Sequence, residues 1–508
     1  MIRGRLLILF LGILLFPLLA ISQNLYEPSI YGQAGTVGSG ARAFGMGGAF
    51  IAVADDGTAS SFNPAGLCVL EKPEGSVVFK ANANLKTDRS GYLFTDDLVA
   101  PGIGSDSYRE VGSQYSLTQT AHAFDFASIS YPFRKGKWKF VPQFDYQRVV
   151  LSGLDPETTP LNYSSTEVLT LGNRSFDGAF EASARQKGNF SGGLDIYAGS
   201  LGFSFNPKLY LGVALNWWTK GASGKRASDF EFSSASGFYS DLAGGSETST
   251  FNSNEDFSGF NVNVGTLIKP NNKVRIGFVY KSPFTMDYNL MVRETRIDRA
   301  NGGFNTIDIT KNEKGKIDWP TSLGVGFAVL PKEVWTVSVD YTKTFWSNAD
   351  YTYDYVQSCT GAGCDPSDTI NAPDIKVLWP QYFDKNSPIS GINLKQQDSD
   401  QFRIGTEYVM LWKVAVPLRG GFFTDKQLFT DVNGKSVTFH GFTVGAGIAW
   451  SQILFDFAYV HESGDYRGQD FSISNTTSLS TETATLTAIR TDKFRSNTIY
   501  ISSIFRFK

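Results

Sequence analysis

Cysteine and histidine are nearly missing from this chain, with three of each in 508 residues. His122, His440 and His461 stand in no H-E-x-x-H pattern, and neither G-x-S-x-G nor a paired C-x-x-C occurs, so no familiar hydrolase or zinc constellation is present. Charge of one sign is lacking too: 46 Lys and Arg face 49 Asp and Glu, a net of -3, which excludes nucleic acid as an electrostatic partner. After the N-terminus no apolar run approaches the roughly eighteen residues that a spanning helix needs. The one long run is an address. Arg3 and Arg5 precede Leu6 to Ala20, and Ala20-Ile21-Ser22 is a small-x-small site that predicts a signal peptide over 1–22, cleaved before Gln23. No cysteine follows that site, which excludes lipoprotein processing.

What is present is alternation. Trp138, Phe140, Phe144 and Tyr146 share one face of a strand, and Lys139, Gln143, Asp145 and Gln147 share the other. Leu209, Leu211, Val213, Leu215 and Trp217 repeat the pattern, as do Phe402, Ile404 and Tyr408 against Arg403, Gly405 and Glu407. A helix would need spacings of three and four. About fourteen such segments occur, each near the length of a tilted transmembrane strand. Links such as Asn206 to Lys208 and Pro331 to Glu333 are short and alternate with long polar stretches, including 86–120, 222–255, 347–400 and 464–495. Tight turns on one side and long loops on the other predict an all-β fold, a transmembrane antiparallel β-barrel of about fourteen strands. The 41 Phe, 22 Tyr and 9 Trp suit interfacial girdles.

Local features offer few chemical sites. Cys359 and Cys364 lie close together in a long outer loop, where export favours a small disulfide, and Cys68 is left to pack as a small apolar residue. Asp55-Asp56 has the look of a metal site, but adjacent carboxylates more often bind nearby amides, and no metal or cofactor is expected. Gly38 to Ala43 imitates a dinucleotide loop without the preceding strand that such a loop requires. His440 shares a lipid face with Phe442 and Val444, as in lipid-hydrolysing barrels, yet no recognisable serine partner accompanies it, so the chain is not expected to be an enzyme.

Between the leader and the first strand lies Gly40-Ala41-Arg42-Ala43-Phe44-Gly45-Met46-Gly47-Gly48-Ala49-Phe50, followed by Phe62-Asn63-Pro64-Ala65-Gly66-Leu67. This segment resembles the N-terminal part of the FadL-type outer-membrane transporters, which take up long-chain fatty acids and aromatic hydrocarbons. Arg275 to Pro283, Trp319 to Gly324 and Phe402 to Tyr408 are similar to strands of the same family, so the resemblance spans nearly the whole mature chain. It implies a lumenal N-terminal hatch over 23–75, with Asn63, Pro64 and Ala65 as the hatch motif, and a barrel over 76–508. The implied function is passive uptake of a hydrophobic small molecule or fatty acid in the bacterial outer membrane, among lipid and lipopolysaccharide, by a monomer. The same glycine-rich opening and Asn-Pro-Ala-Gly-Leu also resemble the PorV-type barrels, which bind a secretion partner rather than transport. The chain departs from the common terminal aromatic, which here is Phe507 rather than the last residue, Lys508.

Two expectations concern the wall and the lumen. Pro142 lacks an amide for the ladder, so a bulge or gap is expected there. By resemblance it is assigned to a kink that opens the wall sideways. Alternation points Arg275, Arg403, Glu407 and Arg419 inward, and a turn near Leu411 would set Arg403 and Arg419 nearly opposite each other. A structural ladder of charges explains them, and the sharper reading is that the arginines bind a ligand's carboxylate through a bidentate fork. The leader and the closed ring are tested together: the mature protein should begin at Gln23 and migrate faster on a gel before boiling than after. A cytoplasmic protein whose mobility is unchanged by boiling would overturn this.

Overall fold

The computed structural model describes residues 38–98, 107–152, 157–158, 161–171, 174–237, 245–300, 303–361, 364, 369–378, 383–384, 397–431, 434–476 and 483–507. The leader, its cleavage site, Lys508 and the first part of the expected hatch lie outside them.

Fourteen strands close into one antiparallel ring. They are β1 (Glu74–Leu98), β2 (Ser107–Ser130), β3 (Trp138–Ser152), β4 (Arg174–Asn206), β5 (Leu209–Thr219), β6 (Gly245–Asn271) and β7 (Val274–Lys281). The second half is β8 (Ser322–Lys332), β9 (Trp335–Thr344), β10 (Ser399–Leu411), β11 (Ala415–Thr430), β12 (Ser436–Trp450), β13 (Ile453–Thr476) and β14 (Thr483–Arg506). Each pairs with the next, and β1 pairs with β14 from Glu74↔Arg506 to Leu98↔Ala484, which leaves no free edge. Among the described residues no helix is long and apolar enough to cross a membrane.

Burial is inverted relative to a water-soluble fold. Phe144, Trp217, Phe278, Phe327, Tyr408, Phe442 and Phe455 are exposed on the outside, while Gln143, Asn216, Ser338, Arg403, Arg419 and Asp456 are buried within. The outer face meets lipid, and the inner polar groups must find partners inside the lumen. The long stretches 86–120 and 464–495, read as loops, are instead partly strand: β13 and β14 stay paired as far as Thr476↔Thr483. Beyond the lipid a ladder needs no apolar face, so alternation does not report it. A hairpin of Phe284–Ala300 with Gly303–Trp319 extends the wall above β7 and β8 in the same way.

Inside the ring lies the segment from Gly38 to Leu70. Helix α1 (Ala41–Gly45), helix α2 (Ala59–Phe62) and a 3-10 helix (Pro64–Val69) fold around Phe50 and Phe62, whose rings meet edge-on at 5.3 Å. Every residue from 38 to 70 is buried except Arg42, Asp55 and Val69, which are partly buried. Its backbone lies directly on the barrel wall because the inward positions there are glycine. A Cβ at Gly277 would stand 2.6 Å from the Ile51 carbonyl oxygen, and one at Gly202 2.9 Å from the Leu67 Cβ. At Gly212, Gly265, Gly405 and Gly421 a Cβ would collide with Pro64, Asn63, Met46 and Gly47 respectively. Gly47 and Gly48 add left-handed φ angles of 69° and 75°, which turn the chain after α1 without strain.

Gly212→Val and Gly405→Val should therefore leave the ring intact and dislodge the hatch. We expect heat-modifiable mobility to persist while protease newly cuts within residues 38–72. An uncut hatch in both variants would refute this contact.

Candidate functional site

The hatch is anchored by a chain of alternating charges. Arg275 on β7 reaches Asp55 at 3.0 Å, and Asp55 also pairs with Arg42 of α1. Arg42 contacts Asp56 at 3.3 Å and forks onto Glu407 of β10 with both bonds at 3.0 Å. Glu407 then binds Arg419 of β11 at 2.7 Å, and Arg419 binds Asp456 of β13 at 2.6 Å. Bidentate, charge-assisted contacts of this kind are strong and directional. Arg403 stands apart, bonded to the Gly47 carbonyl at 3.1 Å and to Asp425 at 3.3 Å. Each of Arg275, Arg403 and Arg419 thus has a carboxylate from the protein itself, so a ligand reaches them only by displacing one.

The register differs from the expected one. Arg419 lies opposite Glu407, and Arg403 opposite Phe423, because the β10–β11 hairpin turns about Lys413 rather than Leu411. The two arginines are hence not cross-strand neighbours, and Arg403 stands four residues, or two same-face steps, further from the turn than Arg419.

The Asn63-Pro64-Ala65 triplet joins hatch to wall. The Asn63 Nδ2 donates to the carbonyls of Ile51 at 2.9 Å and Thr266 of β6 at 3.1 Å, while its Oδ1 accepts from the Ala65 amide. Pro64 opens the 3-10 helix, where its missing N–H costs nothing. Further ties run from the Ile51 amide to Asp340 at 2.7 Å, from the Gly47 amide to Thr443 at 2.9 Å and from Ser39 to Asp125. Asp55 and Asp56 are held by Arg42, Arg275 and Thr58, and among the described residues no cluster of metal-ligating side chains exists. Cys359 and Cys364 are bonded to each other. Cys68 is buried below α2, where burial pushes its thiol up to about 12, far from a reactive thiolate. His440 is exposed on the outer face.

At Pro142 the ladder to β4 is continuous, the residue pairing with Leu201. On the β2 side no ladder pair forms between Ser130↔Gln143 and Phe133↔Phe140, and the Pro142 carbonyl accepts from the Tyr131 amide at 3.1 Å. A second irregularity lies six residues further. Among the described residues the β2–β3 ladder runs only from Ser130↔Gln143 to Phe126↔Gln147, and β3 shifts register against β4 between Arg148 and Val150. Arg148 turns to Asp195 of β4 at 2.8 Å.

Above the hatch, a cavity borders this break. Gln147 and Val149 of β3 line it on one side, Ser60 and Phe62 of the hatch form its floor, and Ile196, Trp218 and Phe284 belong to its apolar wall. It holds about 1070 Å³ of atom-free space with its open mouth included. Trp218 stacks on Phe284 at 5.2 Å and tilts against Trp319 at 5.4 Å, and these join an apolar cluster with Met286, Tyr288 and Trp346 toward the outer side. A ligand of this site meets aromatic surface at the mouth and polar groups at the floor, the arrangement typical of small-molecule pockets.

Burial raises the Asp55 carboxyl, but the guanidiniums of Arg42 and Arg275 outweigh it and hold the group well below the usual carboxylate range. A depressed folded-state pKa means that its stabilisation is complete above about pH 4, the value of a free Asp, and is lost as pH falls through the folded pKa. Hydrogen exchange over residues 50–57, corrected for intrinsic rates, should accelerate on acidification below about pH 4. Asp55→Asn should speed it by at least about tenfold at neutral pH and abolish this acid dependence. Identical exchange in both proteins at both pH values would refute the latch.

Residues 193–433 match the family model of the outer membrane protein transport proteins (OMPP1/FadL/TodX). A Pseudomonas aeruginosa FadL homologue shares the fold at a TM-score of 0.50 and 12% identity, over 93% of this chain and 99% of that one. The Pseudomonas putida toluene transporter TodX aligns at 0.46 and 15% over 93% and 99%, and the Ralstonia pickettii toluene transporter TbuX at 0.43 and 14% over 93% and 100%. No curated protein sequence matches the chain. With its closed ring and outward apolar belt, the chain is a bacterial outer-membrane β-barrel, similar over residues 193–433 to the FadL/TodX transport proteins.

Proposed function

We propose that this barrel is a passive channel for hydrophobic compounds, which enter at the aromatic mouth, rest in the cavity above the hatch and leave sideways through the wall between β2 and β3. The observation that carries this reading is the position of the cavity: its β3 lining, Asp145, Gln147 and Val149, spans the point where the β2–β3 ladder stops among the described residues. Straight passage would require the hatch to move, and the hatch is tied to the wall by the Arg275–Asp55–Arg42–Glu407–Arg419–Asp456 chain and by Asn63. A sideways exit keeps an apolar molecule out of water throughout. The compounds that fit are those whose apolar body meets Ile196, Trp218 and Phe284, with long-chain fatty acids and aromatic hydrocarbons as the two candidate classes.

The arginine set has a narrower part in this reading. With their own carboxylates in place, Arg275, Arg403 and Arg419 hold the hatch and the lower lumen wall, and a ligand carboxylate would bind there only in exchange for Asp55, Asp425 or Glu407.

The exit is tested by bridging it. Cysteines introduced at Phe124 and Val149, on either side of the break, can be joined with a bifunctional maleimide, because the native Cys68 is buried and Cys359 is bonded to Cys364. Joined barrels in outer-membrane vesicles should lose most uptake of toluene and decanoate, while each single-cysteine variant treated alike keeps it. Undiminished uptake by the bridged barrel would remove the lateral route.

A further inference from the structure

The short turns of the ring, the periplasmic side of such a barrel, are mainly basic. Lys135, Lys137, Lys208, Lys273, Lys332 and Lys413 are exposed there beside the exposed carboxylates of Glu71 and Glu333, although the whole chain has a net charge of -3. The cations are densest at the β2–β3 and β4–β5 turns, which are neighbours because β3 pairs with β4. Just before β3, a short strand at Phe133–Lys135 pairs back onto it, with Phe133 opposite Phe140, Arg134 opposite Lys139 and Lys135 opposite Trp138. Alternation then sorts the charges. Arg134 and Lys139 take one face and share Glu71, at 3.3 and 2.6 Å. Lys135 takes the other, the lipid face, in line with Phe133, Trp138 and Phe140.

The rings on that face form one patch. Phe140 stacks on Phe133 at 5.5 Å and on Trp138 at 6.3 Å, and Phe205 of β4 lies 5.4 Å from Trp138. Phe133, Trp138 and Phe205 are exposed. Lys137 and Lys208 stand in the turns directly below, and a Cβ on Gly136 would meet nothing within 4 Å, so the first turn stands clear of the rest of the protein. Among the described residues no ion pair engages Lys135, Lys137 or Lys208, and the nearby Glu71 is already taken.

A lysine on the lipid face at the edge of the belt lays its stem along apolar surface and lifts its ammonium to the depth of the headgroups. Clustered lysines at that depth attract anionic lipid. A phospholipid matches both halves of the patch, phosphate for the ammoniums and acyl chains for the rings, whereas an acidic protein would match the charges and leave the rings unused. We propose that the β2–β3 and β4–β5 turns form a docking site for an anionic phospholipid of the periplasmic leaflet, its phosphate held by Lys135, Lys137 and Lys208 and its chains lying on Phe133, Trp138 and Phe205. The site is on the outside of the barrel and does not rest on the channel reading.

The test compares phosphatidylglycerol with phosphatidylethanolamine of the same acyl chains, bound to the purified full-length barrel in a neutral maltoside detergent and counted by native mass spectrometry. One variant carries Lys135→Gln, Lys137→Gln and Lys208→Gln. A second carries Lys273→Gln, Lys332→Gln and Lys413→Gln, which removes the same charge from other turns. We expect wild type and the second variant to favour phosphatidylglycerol at least fivefold, and the first variant to bind the two lipids within twofold of each other. Glycerol 3-phosphate, which has the anion without the chains, should displace no bound lipid at equal concentration. If the first variant does not assemble, Lys135→Gln alone decides, with an expected loss of at least twofold in the preference. A wild type without preference, a preference that survives removal of the site lysines, or an equal loss in the second variant would overturn the site. Displacement by glycerol 3-phosphate would overturn its assignment to a lipid.

Discussion

Closure of the ring at β1 and β14 is the constraint from which the rest of this structure follows. In hydrocarbon no water relieves an unpaired amide, so the last strand must find the first, and the register from Glu74↔Arg506 onward does this. A ring of fourteen strands encloses more space than side chains pointing inward can fill, as the growth of diameter with strand number requires. The space is filled by the chain's own N-terminal segment. That solution is sterically possible only because the inner wall is stripped of side chains where the segment lies, at Gly202, Gly212, Gly265, Gly277, Gly405 and Gly421.

Electrostatics then divides the lumen into two levels. At the hatch, cations and anions alternate along one connected path, and each group is both desolvated and matched, so the path fixes position without leaving a free charge. One level up, the wall turns aromatic around Trp218, Phe284 and Trp319. Matched charges hold the lower level, and apolar surface shapes the upper one.

Much of the barrel was legible in the residues. Each of the fourteen alternating segments falls on or beside one of the ring strands, because lipid on one side and a wet lumen on the other impose a period of two that nothing else in the chain disguises. The segment around Asn63-Pro64-Ala65 carried no period of two, and only a resemblance marked it as something other than a strand. The same rule failed outside the lipid, where the ladder of β13 and β14 continues through polar sequence, and it misplaced the β10–β11 turn, since Trp412-Lys413-Val414 gives no sign of which residue is the pivot. At Pro142 the residue type suggested a bulge or gap without saying on which side, and the ladder runs through it toward β4 while skipping it toward β2.

The alternation, the number of strands and which side chains point inward thus follow from the residues alone. These are local properties, set by the two-residue repeat and by backbone chemistry. Which inward charges meet is set by the assembled ring. Asp55, Glu407 and Asp456 are up to about four hundred positions apart along the chain, and their pairing with Arg42, Arg275 and Arg419 exists only when hatch and ring are assembled.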